Sequence, residues 1–174
     1  MNKGKTDRIL QGLLLLSTVL LAGVLWDAIR DKSVNVGDTA PHFEIRTESG
    51  LTVTPTNFGG KVLVLNFWAT WCPPCVQETP ALEALHRELK DSGVVLLGIS
   101  VDKNEQRYKD FLQRFGVTYQ VARDPEAKIG DLYRTYKYPE TYVIDRNGKV
   151  VQKVIGVEWS KETMATFLKS LAAS

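Results

Sequence analysis

The stretch Asn66-Phe67-Trp68-Ala69-Thr70-Trp71-Cys72-Pro73-Pro74-Cys75-Val76-Gln77-Glu78-Thr79-Pro80 holds both cysteines of a 174-residue chain. A sequence so sparing of cysteine sets both within one helical turn. Three chemistries suit such a pair: a structural staple, half of a metal site, or a reversible redox couple. The residues on either side separate them.

Upstream, residues 61–68 read as a strand whose core, Val-Leu-Val-Leu-Asn-Phe-Trp at 62–68, is an almost continuous apolar run of the kind shown by a central strand covered on both faces. Downstream, Val76, Pro80, Leu82, Leu85 and Leu89 fall near helical intervals until Ser92-Gly93 ends them. Cys72 therefore falls where a buried strand gives way to a helix. Pro73 and Pro74 occupy the first turn, where a missing N–H costs nothing. The unpaired N–H groups and the positive dipole end there favour a thiolate at Cys72. Cys75 lies one turn on, facing the same side and deeper. That arrangement suits Cys72 as an exposed attacking sulfur and Cys75 as the resolving one.

Zinc fails by count: a structural site takes four ligands, and only His42 and His86 remain as soft donors besides carboxylates. A staple closing so small a loop removes little entropy from the unfolded chain. The redox couple is the reading these residues favour.

Working outward, residues 42–47 and 51–54 read as a small hairpin turned at Ser49-Gly50, and Gly59-Gly60 opens the central strand. After the helix come a second buried strand over 94–101 and an amphipathic helix over 104–115 stopped by Gly116. A short strand over 119–122 and a helix over 126–136 follow. Residues 141–145 and 150–155 alternate around Arg146-Asn147-Gly148-Lys149, a hairpin signal. Residues 161–171 close the chain as a helix with Ser160 at its N-cap. Strands alternating with helices, then a hairpin and a helix, describe an α/β domain with a mixed sheet between helical layers.

The N-terminus differs. Lys3, Lys5 and Arg8 precede residues 9–26, eighteen positions in which Gln11 is the only strongly polar side chain. Such a run spans roughly 27 Å as a helix, close to the hydrocarbon thickness of a thin bilayer. It exceeds a usual signal-peptide core, no Ala-x-Ala follows it, and no cysteine follows that lipid attachment would need. The expectation is an uncleaved signal-anchor over 9–29, with residues 1–8 cytoplasmic, 30–36 a linker, and a domain over 37–174 outside the cytoplasm. Net charge is +2 and is concentrated in the first eight residues, which leaves no electrostatic footprint for nucleic acid.

Trp-Cys-Pro-Pro-Cys at 71–75, after Val-Leu-Asn-Phe-Trp-Ala-Thr, resembles the active site of thioredoxin-like proteins. A longer pattern resembles the membrane-tethered ResA/TlpA/CcmG group of thiol–disulfide oxidoreductases. It starts at Gly37-Asp38-Thr39-Ala40-Pro41-His42-Phe43, passes through residues 60–78 and reaches Tyr138-Pro139-Glu140-Thr141-Tyr142-Val143-Ile144-Asp145-Arg146-Asn147-Gly148. The resemblance spans residues 36–157. It implies a thioredoxin-like fold with an N-terminal β-hairpin and a central insertion, preceded by one transmembrane helix.

It also implies roles. Pro139 matches the family's cis-proline, which lies across from the cysteines and exposes backbone to substrate. Glu78 matches the acidic residue beside the dithiol, although by spacing alone it is an ordinary exposed helix glutamate. Asn66 stands where thioredoxin has a buried aspartate, so the acid–base role moves to Glu78. Trp71 and Tyr138 are candidates to line an apolar groove for an extended substrate peptide; Trp159 has no role at this level. Peroxidases of related fold place their cysteine in a proline- and threonine-bearing loop without so close a partner, so peroxidase chemistry is not expected.

The expected function is therefore an extracytoplasmic protein-disulfide oxidoreductase without a cofactor or metal, on the outer face of a bacterial cytoplasmic membrane. It would act as a reductant on specific protein disulfides such as those of apocytochrome c, and be recharged by a transmembrane electron donor. The alternatives are reduction of general periplasmic proteins, and a Cu(I) metallochaperone that uses the same thiols for oxidase assembly.

Overall fold

In the computed structural model residues 3–29, 33–55 and 60–173 are described, and the chain divides into two units, Met1–Lys32 and Ser33–Ser174. Helix α1 (Lys3–Ile29) makes up the first. Its apolar side chains, among them Leu13, Leu14, Leu15, Leu16 and Trp26, are exposed around the helix rather than along one stripe. Among the described residues no helix is long and apolar enough to cross a membrane. The side chain of Leu10, inside the apolar run, is not among them. Of the transmembrane helix expected over 9–29, the structure shows a helix, Lys3–Ile29, and does not show a membrane span. Of the expected linker and of the Gly59-Gly60 pair, residues 30–32 and Gly59 lie outside the described residues.

The second unit opens with β1 (Ile45–Arg46) and β2 (Thr52–Val53), an antiparallel pair. The strands expected over 42–47 and 51–54 shorten to two residues each. Their approach is drawn to the far hairpin instead, where the Gly37 and Ala40 N–H groups donate to the Val150 and Gly148 carbonyls at 2.8 Å. Then follow β3 (Val62–Trp68), α2 (Pro73–Leu89), β4 (Val94–Ser100) and α3 (Glu105–Phe115). The chain continues with β5 (Gln120–Arg123), α4 (Lys128–Tyr133), β6 (Glu140–Ile144), β7 (Val150–Ile155) and α5 (Lys161–Ala173).

The five-stranded sheet runs β5-β4-β3-β6-β7, with β3, β4 and β5 parallel and β6 and β7 antiparallel to their neighbours. This is the mixed sheet the element order implies. The segment α3–β5–α4 lies between β4 and β6, and β5 extends the sheet to one edge.

Because successive strand residues point to opposite faces, β3 feeds two cores. Val62, Val64 and Trp68 join a cluster with Leu82, Leu85 and Leu89 of α2, Tyr108 and Phe111 of α3, and Met164 and Leu168 of α5. Leu63, Leu65 and Phe67 join Ile129 and Tyr133 of α4, with Phe43 and Val53 from the N-terminal hairpin region. All seven residues of β3 are buried, as its apolar run requires. Asn66 shares the face of Val64 and Trp68, so the one amide in the strand points to the α2 side. In register opposite it on β6 stands Thr141, beside Val143 of the same cluster.

The helix expected over 126–136 is only six residues long. Ala127 and Arg134 both take the left-handed conformation, at φ 53°, and bound it on either side. The orphan N–H groups at its start go to Asp124, whose carboxylate accepts from Lys128 and Ile129 at 3.1 and 2.7 Å. Ser160 caps α5 as its position predicts, its hydroxyl accepting from the Thr163 N–H at 3.2 Å.

Candidate active site

Strand β3 delivers the chain to residue 68, and three loop residues later Cys72 caps α2 in an extended conformation. Pro73 and Pro74 fill the first two helical positions. They carry no N–H, so the first free helical donor is that of Cys75, aimed at the Cys72 sulfur at 3.2 Å. A donor fixed there by the helix stabilises negative charge on Cys72 when the pair is reduced. Cys72 and Cys75 are joined in a disulfide, with Cα atoms 5.3 Å apart.

Cys72 is not the exposed sulfur expected of a nucleophile. It is 5% exposed and Cys75 1%, both within the α2-side core. The order of depth stands, but the loop buries both and raises Trp71 instead, which is 63% exposed. Trp71 meets the half-buried Tyr138 edge-on, ring centroids 5.9 Å apart. The Tyr138–Pro139 bond is cis, and the Pro139 carbonyl accepts from the Gly156 N–H at 2.8 Å. Trp71, Tyr138 and Pro139 thus come from two distant segments, with the aromatic pair joining the cysteine loop to the start of β6.

Glu78 is the residue whose setting departs most from its spacing. It is 4% exposed, on the α2 face that looks onto the sheet. Asn66 Nδ2 donates to Glu78 Oε1 at 2.8 Å and to Thr141 Oγ1 at 3.0 Å, tying α2 to β3 and β6. The Trp159 indole N–H reaches the other carboxylate oxygen, Oε2, at 3.4 Å. Burial pushes the Glu78 pKa up to about 7, and the bonds from Asn66 and Trp159 oppose that rise. A carboxyl group that titrates near neutrality, one turn beyond Cys75, is matched to exchange protons with a thiol.

The loop before Cys72 is clamped by Asp102, which is itself buried. Its carboxylate accepts from the Thr70 N–H at 2.8 Å, the Thr70 hydroxyl at 2.6 Å and the Ser100 hydroxyl at 2.6 Å. Neither Asp102 nor Trp159 stood out in the sequence. The one signal for Asp102 was a carboxylate just after a buried strand, where a charge needs partners. For Trp159 it was an indole N–H that seeks an acceptor when its ring is covered.

His86 lies against Tyr119, rings 6.2 Å apart, and His42 is exposed on the approach to β1. Among the described residues no group of three or more His, Cys, Asp or Glu side chains is arranged to hold a metal ion.

The chain matches the AhpC/TSA family over residues 36–153. It is 33% identical over 140 residues to the thiol-disulfide oxidoreductase ResA of Bacillus thuringiensis strain Al Hakam, covering 80% of each chain. The ResA of Oceanobacillus iheyensis is 35% identical over 148 residues, 83% of this chain and 77% of that one. Among solved structures, a protein of Chlorobium tepidum assigned as thiol:disulfide interchange protein DsbE superposes with a TM-score of 0.74 at 30% identity, over 80% of this chain and 99% of that one. A Cys-x-x-Cys pair at disulfide distance on such a scaffold performs dithiol–disulfide exchange. The chain belongs to the AhpC/TSA family and, within it, to the thioredoxin-like thiol–disulfide oxidoreductases of the ResA/CcmG group.

Proposed function

We propose that the chain is a membrane-anchored disulfide reductase, facing out of the cytoplasm, that reduces specific protein disulfides, among them those of apocytochrome c. The observation that carries the dithiol chemistry is the buried Glu78 carboxyl, bonded to Asn66 and held one turn beyond Cys75; the reducing direction rests on the resemblance and on the anchor. In the reduced enzyme the Cys72 thiolate attacks one sulfur of a substrate disulfide, and the other leaves as a thiolate that takes a proton from water. Cys75 then attacks the Cys72 sulfur of the mixed disulfide while its S–H proton passes to Glu78. The bond to substrate breaks, the second substrate sulfur leaves as a thiolate that takes a proton from water, and Cys72 and Cys75 end as the disulfide. A dithiol donor reverses the exchange at the enzyme, and Cys75 regains its proton through Glu78, which exchanges protons with water between the two half-reactions.

The apocytochrome target rests on Pro139-Glu140-Thr141 after Tyr138, the part of the sequence most like the CcmG branch. The anchor rests on the apolar run over 9–26 and the basic residues ahead of it. Trp71, exposed, and the half-buried Tyr138 offer an aromatic surface beside the cysteine loop for a peptide segment.

Trapping in cells is the test. Cys75→Ser should accumulate a mixed disulfide with substrate through Cys72, and Cys72→Ser should accumulate little. Apocytochrome c should be among the trapped proteins, and a deletion strain should recover mature cytochrome c on addition of an exogenous thiol. Equal trapping by the two variants would contradict the division of labour. Normal cytochrome c in the deletion strain would remove the named target and leave the chemistry standing.

A further inference from the structure

Trp159 sits in the connection between β7 and α5, a place fixed from both sides. Its own N–H donates to the Val157 carbonyl at 2.8 Å, and the next residue, Ser160, caps α5. The half-buried ring packs against the α2-side core. Its indole N–H ends on Glu78 Oε2, the oxygen that Asn66 does not hold. Glu78 and Trp159 share a cleft of about 240 Å³ with Gln77, Ala81 and Val157, and the exposure of Gln77 and Val157 opens it to water. Its lining, among the described residues, contains neither cysteine and none of Trp71, Tyr138 or Pro139.

We propose that Trp159 is a positioning residue of the dithiol site: its indole N–H holds the Glu78 carboxylate at the wall of this cleft and sets how readily Glu78 gives up its proton to water. The proposal rests on Glu78 acting as the proton acceptor of the reaction. The groups that face Glu78 leave Trp159 as the adjustable one. Asn66 on β3 and Thr141 on β6 are neutral and bonded to each other. Cys75 on α2 is the reaction partner, and Tyr119, ahead of β5, is held protonated by burial first and by the Glu78 charge second. A donor to a carboxylate favours the charged form, so its removal makes the carboxyl hold its proton to higher pH.

Two variants test this in the full chain. Trp159→Phe removes the N–H and keeps an aromatic ring. Replacement of Trp159 by benzothienylalanine keeps the bicyclic shape with sulfur in place of N–H, so loss of packing is not confused with loss of the bond. The Glu78 carboxyl is followed by carbon-13 NMR against pH, with Glu78→Gln identifying the signal, and thiol alkylation by iodoacetamide is followed over the same range. Both variants should move the Glu78 inflection up by about half a pH unit or more, and the alkylation profile with it. An inflection that stays in place in a folded variant overturns the role of Trp159. So does an alkylation profile that Glu78→Gln shifts and both Trp159 variants leave alone. An alkylation profile that Glu78→Gln itself leaves unchanged overturns the acceptor reading, and the inference falls with it.

Discussion

Glu78 binds its proton more tightly in the folded chain than in the unfolded one, because burial costs the charged form more than two hydrogen bonds return. Its pKa rises from 4.5 to about 7, so between those values the folded state carries the extra proton. Stability from this group is therefore full below about 4.5 and falls as pH climbs to about 7, by about 3 kcal/mol at most. Denaturant unfolding of the oxidised protein at pH 4.5 and pH 8 should show this loss in the wild type, and Glu78→Gln should lose distinctly less over the same interval. Equal pH dependence in the two proteins would show that folding does not raise the Glu78 pKa. The sequence revealed the spacing of Glu78 from Cys75 but gave no reason to bury it. That reason is pairwise: Asn66 is the amide on the α2 face of β3, and only the sheet register brings Thr141 and the β7–α5 connection to complete its surroundings.

At the scale of elements, the strand-to-helix turn that holds the cysteines is set from outside as much as from within. Pro73, Pro74 and the Cys75 N–H were legible as an N-terminal cap, since capping is local and depends on residue type. Asp102 was not, because it lies 32 residues from Thr70 in the chain and reaches it only through the parallel pairing of β3 with β4. The same limit applies to α4: residues 126–136 contain enough apolar positions for a longer helix, and the left-handed turns at Ala127 and Arg134 cut it short. Asp102→Ala leaves the Thr70 N–H and two hydroxyls without their shared acceptor. It should cost about 2 kcal/mol or more of stability in denaturant unfolding. It should also raise the alkylation rate of Cys72 in the reduced protein by loosening the loop that now buries it. An unchanged rate with the stability loss intact would confine Asp102 to holding β4 and β3 together.

For the molecule as a whole, the proposed orientation ties the two units to one task. A reductant in a compartment that oxidises thiols is spent after one turnover unless electrons reach it through the membrane. Tethering confines it beside such a donor and raises the effective concentration of each for the other. An oxidant in the same compartment is recharged by its surroundings and gains less from a tether. The dithiol should accordingly be more reducing than DsbA-like oxidants, which lie near about −120 mV. The tether itself can be tested separately from the chemistry. A reporter active only outside the cytoplasm, fused after Ser174, should be active in cells. The domain from Ser33 onward, exported behind a cleavable signal in place of residues 1–32, should keep the dithiol potential of the full chain. It should nonetheless restore mature cytochrome c to a deletion strain only when expressed well above the level at which the full chain suffices. An inactive reporter at normal expression would overturn the orientation. Full restoration by the released domain at matched expression would mean that the first unit serves delivery alone, and that recharging of Cys72 and Cys75 does not depend on confinement at the membrane.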